Sequence, residues 1–166
     1  MRFFGRKRER ERTPPAEVYL GLRQQVLRLT ADQLGDDASA AAPILVLLME
    51  TGYEEAVATL VAVADGTTSL YFSNGGGFVG AGAHADVAEA SGRWLETGRE
   101  FLPQLSAVSD PALPDVGLTQ FVAVTPEGLR GIVAPEEELG EGRHALSPLF
   151  HAGHDVITQI RLTQGG

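Results

Sequence analysis

Two stretches of this 166-residue chain hold residue types from which a site can be built. Asn74, Gly75, Gly76 and Gly77 open a glycine-rich segment, residues 74–82, that leads through His84 into a helical pattern. Backbone N–H groups exposed by glycine beside a helix N-terminus can hold a phosphate or another anion. No Gly-Lys-Ser/Thr ending marks a Walker loop, and a hairpin stands where a dinucleotide fingerprint needs a crossover unit. Asn74–Gly77 with His84 is therefore a candidate ligand site of low specificity. His151, His154 and Asp155 have the three- and four-residue spacing that can share a metal on a helix. A helix whose buried face is centred on Leu149, Val156 and Ile160 turns His151 and Asp155 toward solvent and leaves His154 at the side. Completing a metal shell there would need His84, His144 or Glu138, so neither a metal site nor a cofactor is expected. Without a nucleophile elbow or zincin pair, no catalytic residue is assigned, and an enzyme is the less favoured reading. The chain contains no cysteine, which removes disulfides, thiolate metal sites and thiol nucleophiles together.

Charge divides the chain. Residues 1–12 hold Arg2, Arg6, Lys7, Arg8, Arg10 and Arg12 against Glu9 and Glu11, a net of +4, and the rest carries −13 of the total −9. An acidic body argues against a non-specific grip on nucleic acid, and no nucleic-acid partner is expected. Residues 1–13 read as a disordered basic tail, with contact between this tail and anionic lipid a minor alternative. The acidic run over residues 136–141 reads as a solvated loop, or as a receiver for a neighbour's basic tail. No secretory apolar stretch follows the positive end, and no run reaches the ~20 residues a spanning helix needs, so a cytoplasmic protein is expected.

The elements that would position these residues follow from periodicity. Residues 14–166 read as one domain, in keeping with 43% hydrophobic and 21% charged residues. The first helix is expected over residues 16–34, after Pro14-Pro15. Val18, Leu22, Val26 and Leu29 would form its core stripe, and Leu20, Leu27 and Leu34 a second seam available to another chain. A buried strand follows at residues 44–50. Residues 57–64 alternate and meet residues 67–72 across Asp65-Gly66, a hairpin. A helix is expected over 84–105, with Val87, Ser91, Trp94 and Gly98 inward. Residues 107–117 read as a loop. A second hairpin joins 118–125 to 129–134 across Pro126-Glu127-Gly128, and a last helix runs over 147–162.

Leu60-Val61-Ala62-Val63 and Phe121-Val122-Ala123-Val124 share a Val-Ala-Val core and the same phase to the following turn, which suggests two hairpin-plus-helix repeats over 56–106 and 118–163. The expected fold is α+β, a five-stranded, mostly antiparallel sheet with helices packed on it, in the order α-β-β-β-α-β-β-α. That element order resembles the roadblock and profilin-like group of small α+β domains, and the chain is similar to uncharacterised bacterial proteins of this architecture. The resemblance implies an interaction module, commonly dimeric, and assigns no individual residue. The expectation from sequence is a non-enzymatic interaction or scaffold module with a protein partner or a homodimer. The alternative is a ligand-, nucleotide- or phosphate-binding protein or enzyme that uses residues 74–82.

Overall fold

The computed structural model describes residues 12–35 and 42–164. The basic tail up to residue 11 and the Asp36-Asp37 helix stop lie outside the described residues. The run that ends in Glu50 becomes β1 (Val46–Gly52), whose seven residues are all buried. Antiparallel β2 (Val57–Val63) and β6 (Leu118–Thr125) pair with it on either side. Each continues through its hairpin, β2 into β3 (Thr68–Phe72) and β6 into β7 (Gly128–Pro135). At the first turn Asp65 Oδ1 accepts from the Thr67 N–H at 2.9 Å, and Gly66 takes φ 99°, a conformation that favours glycine.

Among the described residues the sheet has seven strands and not five, and with β4 (Gly77–Phe78) and β5 (Ser106–Val108) at its edges the order is β4-β3-β2-β1-β6-β7-β5. The additional strands are β4, inside the glycine-rich segment, and β5, at the start of the expected loop. At two and three residues they are too short to show alternation, and their pairing partners β3 and β7 define them.

Helices cover both faces. Of the α2 (Ala85–Phe101) and α4 (Ser147–Gln164) side chains, Val87, Trp94, Leu149, Val156 and Ile160 pack with Leu47, Met49, Leu60 and Phe121 of the strands. Glycine lets these helices lie close: a Cβ at Gly98 would stand 2.8 Å from Leu47 Cδ2, and one at Gly153 2.8 Å from Met49 Cε. Between β7 and α4, residues 136–140 form the short helix α3 (Glu136–Gly140) in place of the expected loop.

On the opposite face lies α1 (Glu17–Leu27), shorter than expected and rotated. Its buried residues are Tyr19, Arg23 and Leu27, while Val18 is 60% exposed. The helix stops where Thr30 and Gln33 form a capping box for a separate 3-10 turn, Ala31–Leu34. The seam expected at Leu20, Leu27 and Leu34 is therefore not one surface. Leu20 is 43% exposed, Leu27 lies in the core, and Leu34 packs half-buried against that core. Among the described residues no helix is long and apolar enough to cross a membrane.

The two Val-Ala-Val segments flank β1 in the same register. Met49 faces Leu60 on one side and Phe121 on the other, Leu48 faces Val61 and Val122, and Val46 faces Val63 and Val124.

Candidate functional site

One residue beyond that shared register, a row of polar side chains crosses the centre of the sheet. Glu50 of β1 stands opposite Thr59 of β2 and Gln120 of β6. It is fully buried, in an environment where an ionised carboxylate needs both a counter-charge and hydrogen bonds. Arg23 of α1 supplies the charge in a two-pronged contact, Nε to Oε2 at 2.7 Å and Nη2 to Oε1 at 2.8 Å. The Thr59 hydroxyl donates to Oε2 at 2.9 Å and Gln120 Nε2 donates to Oε1 at 3.1 Å. Because the Thr59 proton goes to Glu50, the 2.7 Å contact between Tyr19 and Thr59 has Tyr19 as donor.

Burial, then the charge of Glu50, pushes the Tyr19 phenol up to about 12. Burial alone would lower the Arg23 guanidinium, but its hydrogen bonds and charge contact with Glu50 hold it above its ordinary value.

A strap, residues 109–117, closes the cluster from the side. Arg23 Nη2 donates to the Pro111 carbonyl at 2.9 Å, Gln120 Nε2 to that of Ala112 at 2.9 Å, and Arg12 Nη2 to that of Pro114 at 3.0 Å. The strap crosses β1 at Gly52, where an added Cβ would run into the Asp115 carbonyl and stand 2.7 Å from that of Pro114. The Gly117 N–H donates to the Gly52 carbonyl at 2.9 Å. With both carboxylate oxygens occupied and no surface exposed, Glu50 joins α1, the sheet and the strap. Its geometry is that of a clamp.

The expected ligand residues are not brought together. Gly76 lies against Phe72 at one end of β3, whereas a Cβ at Gly82, two residues before His84, would strike Gly66 at the other end. Several N–H groups of the segment are already used. Gly75 donates to the Phe72 carbonyl at 2.9 Å and Gly76 to Asn74 Oδ1 at 3.2 Å. What Gly75, Gly76 and Gly77 do form is one wall of an apolar groove of about 180 Å³, whose other wall includes Val18 and Leu22 of α1. Beside it Val79 is 72% exposed.

On α4, His151 is exposed, and the His154 ring lies 4.3 Å from the Phe150 ring at 47°. Burial, with Arg161 and His151 nearby, lowers the His154 pKa, and Asp155 opposes this. His144 Nδ1 accepts from the Leu146 N–H at 3.0 Å, ahead of α4. Among the described residues no three His, Asp or Glu side chains are grouped to hold a metal.

Sequence reasoning missed the Glu50 cluster, although Thr59 and Gln120 each directly precede a repeated apolar segment. Comparison with protein-family models, curated proteins and solved structures finds no match.

Proposed function

We propose that this protein is a cytoplasmic, non-enzymatic interaction module that associates with a second copy of itself through the groove between α1 and the glycine-rich segment. The carrying observation is an apolar groove whose lining includes two exposed apolar side chains, Val18 at 60% and Val79 at 72%. A two-fold contact brings the same patch of both copies together, and exposed apolar side chains beside an apolar hollow give such a patch surface to bury. The clamp at Glu50 supports the reading, because it fixes α1, and with it one wall of the groove, against the sheet. The order of the long elements, similar to that of roadblock and profilin-like modules, supports it as well.

The chain has no cysteine, so a single introduced thiol reports one position. Val79→Cys treated with a short bis-maleimide should give a cross-linked dimer at micromolar protein. Val133→Cys, at an exposed position on β7, should stay monomeric under the same treatment. Equal cross-linking at the two positions, or none at Val79, would contradict the assigned surface.

A further inference from the structure

A second hollow, open and of about 660 Å³, lies where the strap ends at Gly117. Gly117, Pro135 and Gly140 line it together with the Phe150 ring, and Glu136, Glu137 and Glu141 stand around it. Arg143 neutralises part of this charge, since it pairs with Glu141 and lies 4.0 Å from Glu138. Glu136 faces the Tyr53 hydroxyl, with Arg161 nearby. Glu137 is exposed, and among the described residues it makes no ion pair within 4 Å. The hollow thus combines an aromatic and glycine floor with a net negative rim. It fits a side chain with an apolar stem and a cationic head.

The chain carries such side chains within reach. Residues 1–12 hold five arginines and Lys7. Arg12 is fixed to the Pro114 carbonyl, three residues before Gly117 in the lining. From that anchor the eleven preceding residues, extended, span up to ~37 Å, while the strap from Pro114 to Gly117 covers only ~10 Å.

We propose that the basic segment of residues 2–11 docks in cis on this hollow, with a basic side chain against Phe150 and its charge among Glu136, Glu137 and Glu141. The contact neutralises part of the acidic body with the chain's own tail.

A nitroxide on Gly5→Cys in the full chain tests this through paramagnetic broadening of backbone amide signals. Docking predicts loss of peak intensity at Gly117, Gly140, Glu141 and Phe150. That loss should disappear near 1 M salt, where the screening length falls to ~3 Å, and in Glu137→Gln/Glu141→Gln. It should persist in the control Glu89→Gln, on the exposed face of α2. Three results would overturn the proposal: no broadening at these amides, broadening indifferent to the two substitutions, or equal broadening of isotope-enriched unlabelled chains when spin-labelled chains are mixed with them. The last would mean that a neighbour's segment occupies the hollow.

Discussion

Arg23 and Glu50, 27 residues apart in sequence, meet through two hydrogen bonds of 2.7 and 2.8 Å between a helix and the central strand it covers. The contact makes the fold of α1 dependent on the sheet beneath it. A guanidinium prong also reaches the Pro111 carbonyl, so helix, sheet and strap share one joint.

Breaking one side of a buried pair leaves the other charge unpaired, at ~3–5 kcal/mol. Glu50→Gln should cost this much in urea unfolding, because Gln cannot balance Arg23. The double variant Arg23→Met/Glu50→Leu should cost less than the sum of its two single variants, since no orphaned charge remains. A cost below ~1 kcal/mol for Glu50→Gln would mean that water already solvates the pair.

Gly52 is required by the strap, whose Asp115 carbonyl occupies the space a Cβ would take. Gly52→Ala should destabilise by ~1–3 kcal/mol, the usual cost of forcing atoms into a filled site. It should also speed hydrogen exchange at Gly117, whose N–H is bonded to the residue 52 carbonyl. Unchanged protection at Gly117 would show that the strap is not held there.

Much of this arrangement is legible in the sequence, and the illegible part has a physical cause. Hairpins announced by Asp65-Gly66 and by Pro126-Glu127-Gly128 stand as read, as do the inward faces of α2 and α4. Very short β4 and β5 carry no period of their own. The phase of α1 was hidden because its buried centre, Tyr19-Arg23-Leu27, contains an arginine. Apolar periodicity then selects Val18, Leu22 and Val26, one residue out of phase. Only the counter-charge makes Arg23 a core residue, and that counter-charge reads in the sequence as the end of an apolar run. A polar residue before each Val-Ala-Val repeat, Thr59 and Gln120, is the signal that could have located Glu50 between them.

Alkaline titration should show the clamp directly. Tyr19 is pushed up to about 12, chiefly by burial and then by Glu50, and Tyr53 is also pushed up to about 12, chiefly by burial and then by Glu136. An unfolded tyrosine ionises near ~10, so the folded chain holds these protons more tightly. Their contribution is complete below pH ~10 and is lost as pH rises from there through about 12. Tyrosinate absorbance should therefore rise for Tyr19 and Tyr53 near 12. Tyr19→Phe should flatten the fall of stability over this interval. Ionisation of both groups near 10 would contradict the burial and charge assigned to them.

Self-association through the groove is tested most directly by sedimentation equilibrium of the full chain, compared with Val18→Asp and Val79→Asp. Both side chains are exposed, so either aspartate leaves the fold intact. A two-fold contact carries each substitution twice, so ~1 kcal/mol lost per copy becomes ~2 kcal/mol, about 30-fold in Kd. A dimer through the groove predicts a wild-type mass of twice 17.6 kDa at tens of micromolar and a shift of both variants toward 17.6 kDa. A wild-type chain that sediments at 17.6 kDa throughout, or dimers unchanged by both substitutions, would contradict it.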